Sequence, residues 1–137
     1  MNPMNPMNPA ERRIRVLYVE DDPGLRELIS DVLGGEGHEV ETAVDGHDGL
    51  TRILSAEANY DLVLTDIRMP IMTGLEMVRK LEGTAFCTPV ILFSAYDADL
   101  YAAESAGLRI AANVPKGDMQ KLIDTIAAVL AKAQANA

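Results

Sequence analysis

Four apolar runs in this chain end on, or just before, residues that carry charge or a hydroxyl. "IRVLYV" (14–19) leads into three consecutive acids, Glu20, Asp21 and Asp22. "YDLVLTD" (60–66) closes on Asp66, "VILFS" (90–94) closes on Ser94, and "IAANV" (110–114) is followed by Pro115 and Lys116. Adjacent carboxylates repel by on the order of 1 kcal/mol in water and by several times more in a poorly solvated cleft. Either solvent screens the three acids or something positive belongs among them. Which holds depends on whether the elements around them bring the other groups near.

Those elements alternate. The apolar runs above, with "EVETA" (39–43), read as five strands, and "LVL" and "VILF" are continuous enough for strands buried on both faces. In 23–36, Leu25, Leu28, Ile29, Val32 and Leu33 fall on one helical face. Asp22 suits the N-cap, Pro23 the first helical turn, and Gly34, Gly35 and Gly37 the stop. Helices are also predicted over 47–57 (Leu50, Ile53, Leu54), 74–82 (Leu75, Val78, Leu81), 97–106 and 118–134 (Leu122, Ile126, Val129, Leu130). Five successive β–α units imply an α/β fold, a doubly wound parallel sheet with helices on both faces. In such sheets the site lies outside the carboxyl ends of the strands. Neighbouring strands would then gather an acid pair, a lone acid, a hydroxyl and a lysine into one cleft.

Composition sets outer bounds. The chain has 137 residues, 48% of them hydrophobic, which fits one domain with a proper core. Its net charge of −9, from 21 acids and 12 bases, disfavours nucleic acid as a partner. Cys87 is the only cysteine, so no disulfide forms within the chain, as expected in a reducing compartment. No apolar run approaches the ~20 residues of a membrane span. The expectation is a cytoplasmic protein with no membrane partner. The repeat "MNPMNPMNP" opens the sequence, and proline at every third residue blocks helix. We read 1–12 as a disordered leader, 13–134 as the domain and 135–137 as a tail.

The ordered set "VEDDP", "TDIRMPIMTG", "SA" and the lysine of "VPKG", each at a strand end, resembles the receiver domain of two-component response regulators. The resemblance covers 14–133 and brings with it the strand order 2-1-3-4-5. It implies that Asp66 is the phospho-acceptor, a carboxylate nucleophile that forms an acyl phosphate. It implies Mg²⁺ (or Mn²⁺), held by Asp21, Asp66 and the Arg68 backbone carbonyl, with Glu20 on a metal-bound water. This sparse oxygen set suits an ion that keeps several waters. Lys116 would contact one phosphoryl oxygen as a point charge and Ser94 would donate its hydroxyl to another. Catalysis would be positioning plus charge neutralisation, so the chain is not expected to be an enzyme beyond Mg²⁺-dependent self-phosphorylation and weak self-dephosphorylation.

Other residues receive plainer readings. Asp22 is a cap rather than a ligand, and Asp61 a cap or surface residue. Pro70 and Gly74 shape the loop after Asp66. His38 and His47 are surface residues, and Cys87 is a bystander.

Three positions depart from the family pattern. Receivers often carry an aromatic three residues before the lysine, and here that position is Asn113, so the switching aromatic is absent or moved to Tyr96 or Tyr101. A cis-proline usually follows the lysine, but here Gly117 does. A non-proline cis bond costs roughly 2.5–4 kcal/mol, so a trans peptide or an altered loop is expected. Arg68 and Tyr96 stand two residues beyond Asp66 and Ser94, beside the path of the hydrolytic water. Their bulk predicts slow self-dephosphorylation.

The implied function is a stand-alone receiver in a two-component system or phosphorelay. A histidine kinase or histidine phosphotransfer protein would supply the phosphoryl group. A protein target would bind the face built from the helix at 97–106, the fifth strand and the last helix. A homodimer through the last helix, near Leu130, is a further option. The alternative is a pseudo-receiver that signals by binding alone, without phosphorylation. Two other classes fit less well. Haloacid-dehalogenase-type phosphatases need a second Asp two residues after the nucleophile, where Arg68 stands. A flavodoxin-like flavin binder needs a Ser/Thr/Gly phosphate loop, where "EDD" would repel the phosphate.

Overall fold

The structure, a computed structural model, describes residues 14–95 and 107–135. Its elements are β1 (Arg15–Val19), α1 (Pro23–Gly35), β2 (Glu39–Ala43), α2 (Gly46–Ile53), β3 (Leu62–Thr65), α3 (Gly74–Leu81), β4 (Val90–Ser94), β5 (Ala112–Pro115) and α4 (Met119–Ala135). The strands form one sheet in the order β2-β1-β3-β4-β5, and every pairing is parallel. Fold class and strand order therefore agree with the sequence reading. The leader and the segment 97–106, read as a helix, lie outside the described residues.

Two cores flank the sheet. Leu17, Val19, Val63 and Leu92 pack with Ile53, Leu75, Met77 and Val78 of α2 and α3. Val16, Tyr18, Leu62, Leu64, Ile91 and Phe93 pack with Ile29 and Leu33 of α1 and with Leu122, Ile126 and Leu130 of α4. Alternate residues of one strand thus serve opposite faces, which is why the central strands are apolar throughout. Leu130, considered above for a dimer contact, belongs to this second core.

Local chemistry fixes the ends. Asp22 Oδ1 accepts from the Gly24 and Leu25 amides at 2.8 and 3.2 Å and caps α1, with Pro23 in the first turn. Asp45 caps α2, and Thr73 with Glu76 forms a reciprocal capping box on α3. Asp61 is a cap of another kind, since its carboxylate accepts from the Arg15 amide at 2.9 Å.

Two leucines assigned to buried faces are exposed instead. Leu28 is 50% exposed, because α1 meets the sheet along the line of Ile29 and Leu33 and turns Leu28 to its rim. Leu54 is 53% exposed. The helix expected to run to 57 stops at Ile53, Leu54 is its C-cap, and a turn at Ser55 closes it. The fifth strand also begins two residues later than its apolar run, at Ala112.

Candidate functional site

The register places the chemistry. Val19 lies opposite Thr65, so Glu20 and Asp66 leave adjacent strands at the same level, and the Asp66 amide donates to the Val19 carbonyl at 3.0 Å. Ser94 lies opposite Pro115, and the Lys116 amide donates to the Ser94 carbonyl at 2.7 Å. Lys116 stands two strands from Asp66, a gap of about 10 Å between backbones that only a long side chain spans.

Lys116 does span it. Its Nζ lies 3.0 Å from Asp66 Oδ2 and 2.9 Å from Glu20 Oε1. Glu20 is fully buried and Asp66 only 6% exposed. Two buried carboxylates this close are tolerable because an ammonium sits between them and each has further donors. The Ile67 amide donates to Asp66 Oδ1 at 2.7 Å, and the Asp22 amide donates to Glu20 Oε2 at 3.3 Å. Burial pulls the Lys116 ammonium down, but hydrogen bonds to Glu20 and Asp66 outweigh it and hold its pKa above the ordinary lysine value. Asp21 is exposed at the mouth of the site. Its carboxyl is pushed up, first by desolvation and then by its hydrogen bond with Glu20.

Glu20, Asp21 and Asp66 bring one carboxylate oxygen each to within 4.8 Å of one another. That cluster can hold a metal ion. An all-carboxylate set is hard and anionic, and fits a hard divalent cation better than a soft one.

The loop after Asp66 is shaped closely around the Asp66 backbone. The Gly74 amide donates to the Ile67 carbonyl at 2.8 Å, and a Cβ on Gly74 would run into the Asp66 carbonyl oxygen. After Lys116, Gly117 takes φ +98°, a conformation that favours glycine, and no cis peptide bond occurs among the described residues. The trans expectation for this loop holds. Ser94 is buried at the end of β4, while Arg68 is exposed in the loop following Asp66. Asn113 is half-buried in β5 opposite Leu92. Tyr96 and Tyr101 lie outside the described residues. His47 is exposed in the first turn of α2. His38 is half-buried rather than free on the surface, and burial lowers its pKa.

Sequence reasoning missed two groups. The buried Tyr18 hydroxyl donates to Glu20 Oε1 at 3.0 Å, and Arg26 Nη1 donates to the Glu20 carbonyl at 2.8 Å. The first had a signal. Residues i and i+2 of a strand share a face, so Tyr18 stands directly beneath Glu20.

A model of the response regulator receiver domain matches residues 16–127. The chain belongs to the response regulator receiver family. The receiver is 38% identical over 102 residues to the two-component response regulator ORR41 of Oryza sativa subsp. japonica, a match that covers 72% of this chain and 80% of that one. It is 39% identical over 82 residues to the transcriptional regulatory protein DltR of Streptococcus agalactiae, covering 60% of this chain but only 36% of DltR. The receiver thus matches little more than a third of that relative's length. Among solved structures it resembles the response regulator TrrA of Thermotoga maritima in complex with Mg²⁺–BeF, at 32% identity and a TM-score of 0.76, covering 85% of this chain and 98% of that one. The family places the receiver in two-component signalling, in which receivers work with histidine kinases. No helix among the described residues is long and apolar enough to cross a membrane.

Proposed function

We propose that Asp66 accepts a phosphoryl group from a phosphohistidine of a kinase or phosphotransfer protein. A carboxylate oxygen of Asp66 forms the new P–O bond, the P–N bond to imidazole breaks, and the freed imidazole nitrogen takes up a proton. The observation that carries this reading is the setting of Asp66. It is a nearly buried carboxylate at a central strand end, 3.0 Å from the ammonium of Lys116 and beside two further acids.

Attack by one anion on another needs positive charge nearby. Lys116 supplies one charge and moves from Asp66 Oδ2 to an oxygen of the incoming group. Asp21 and Asp66, with the Arg68 carbonyl and with Glu20 through water, would hold Mg²⁺ or Mn²⁺, which supplies the remaining charge neutralisation when bound. The TrrA complex with Mg²⁺–BeF supports this choice of ion. Ser94, at the next strand end, donates its hydroxyl to the transferred group. Self-phosphorylation and slow self-dephosphorylation are then the only chemistry of the chain. Phosphorylation biases a two-state equilibrium toward partner binding through a surface that includes β5 and α4.

Intact-mass measurement after incubation with acetyl phosphate tests the reading, with and without Mg²⁺, on wild type and Asp66→Asn. One Mg²⁺-dependent phosphoryl adduct, absent from the variant, is the expected result. An adduct that persists in Asp66→Asn would place the acceptor elsewhere. No adduct from acetyl phosphate or from a phosphorylated kinase would favour a receiver that signals by binding alone.

A further inference from the structure

Tyr18 is wholly buried, and its hydroxyl reaches upward from β1 to the floor of the site. Its bond to Glu20 Oε1 at 3.0 Å ends on the same oxygen that Lys116 Nζ contacts at 2.9 Å. One carboxylate oxygen thus takes a fixed donor from below and a mobile one from the side. The second oxygen accepts a longer bond from the Asp22 amide, at 3.3 Å. Glu20 is buried, so bulk solvent is a poor substitute for a lost donor.

We propose that Tyr18 is a positioning residue that keeps the Glu20 carboxylate oriented toward the metal site when Lys116 leaves it. The inference rests on the phosphoryl-transfer reading above, in which Lys116 turns to the transferred group. Without the phenol, Glu20 Oε1 would depend on Lys116 among the described residues. The lysine would then be held back, and the carboxylate would swing once it left. With the phenol in place, Lys116 moves and Glu20 stays. A tyrosine hydroxyl has one hydrogen to donate, and here it goes to Glu20 Oε1. Outer-shell partners of metal ligands typically change metal affinity by 10- to 100-fold when removed, and Tyr18, one bond behind such a partner, is expected at the lower end.

The test is calorimetric titration of the full chain with Mg²⁺ alone, on wild type, Tyr18→Phe and the control Tyr60→Phe. Tyr18→Phe removes one oxygen and keeps the ring in the core. Its Mg²⁺ affinity is expected to fall about tenfold, with Tyr60→Phe unchanged. Phosphoryl uptake from acetyl phosphate should fall at limiting Mg²⁺ and recover substantially at saturating Mg²⁺. In a Glu20→Ala background the same substitution should change Mg²⁺ affinity less than twofold, because its effect passes through Glu20. A folded Tyr18→Phe that binds Mg²⁺ within twofold of wild type overturns the proposal, whatever happens to its melting temperature. Should Tyr18→Phe not fold, Tyr18→Leu also lacks the donor and is held to the same outcomes. Wild type that binds no Mg²⁺ would instead remove the metal-site reading, and this proposal with it.

Discussion

The Lys116 ammonium stands 3.0 Å from Asp66 Oδ2 and reaches it across the end of β4. It sits where a divalent ion would also neutralise charge, beside Glu20, Asp21 and Asp66. In the proposed function, lysine and metal would compete for the same carboxylates in the unphosphorylated chain and cooperate only when a phosphoryl group arrives.

Replacing Lys116 by Met separates the two roles. Without Mg²⁺ the chain should lose about 3 kcal/mol, since two buried carboxylates are left without their counter-charge. Mg²⁺ affinity should rise about tenfold, because a unit positive charge a few ångströms away is gone. Phosphoryl uptake should nonetheless fall at least tenfold, since the group that meets the transferred oxygens is missing. Urea unfolding with and without Mg²⁺, beside the mass assay, reads all three. Weaker Mg²⁺ binding in Lys116→Met would mean that the lysine supports the metal rather than competing with it.

The two small residues Gly74 and Gly34 should respond to alanine with opposite signs. A Cβ at Gly74 collides with the Asp66 carbonyl oxygen, and the Thr65 hydroxyl and Asp66 carbonyl carbon crowd the same spot. Gly74→Ala should cost about 2 kcal/mol as overpacking and shift the acceptor loop, lowering phosphoryl uptake as well. Gly34 lies in α1 with no atom within 4 Å of an added Cβ. Gly34→Ala should stabilise by about 0.5–1 kcal/mol and leave uptake unchanged. Denaturation midpoints and the mass assay on the two variants check the pair.

Much of the site was legible because its residues sit at strand ends, where an apolar run gives way to charge. Asp66, Lys116, Ser94 and the acids after β1 each carry that mark, and parallel register brings them together without further information. Tyr18 was not legible as part of the site. Its ring belongs to the core, and only the distance from its hydroxyl to Glu20 reveals the second role. The exposure of Leu28 and Leu54 was hidden for a related reason. Periodicity identifies a helical face, but how wide a stripe the sheet covers, and where a turn such as that at Ser55 ends the helix, are tertiary facts.

His38 gives the folded chain a pH dependence near neutrality. It lies half-buried between α1 and β2, and burial lowers its pKa below the ordinary 6.5, with the nearby Glu36 charge opposing. A lowered folded-state value means that the folded chain binds fewer protons than the unfolded chain just below pH 6.5. The associated stability is present above that pH and is lost as pH falls through the depressed value. Urea midpoints of wild type should therefore drop between pH 7.5 and 5.5 by more than those of His38→Gln. Equal drops in the two proteins would assign the dependence to other groups.

Ile71 holds an uncommon backbone conformation in the loop after Asp66. Its φ is +71°, a region that a β-branched residue enters at a cost of roughly 1–2 kcal/mol, and its side chain is 80% exposed. Little packing offsets that cost. Ile71→Gly relieves the strain and loses some of the gain to the freedom of glycine in the unfolded chain, leaving a net stabilisation of about 0.5–1 kcal/mol. Ile71→Val keeps the branched Cβ and should change stability by less than half of that. If Ile71→Gly proves less stable than wild type, the exposed isoleucine contributes contacts that outweigh its strain. The acceptor assay on the same variant then shows whether those contacts also hold the loop beside Asp66 in place.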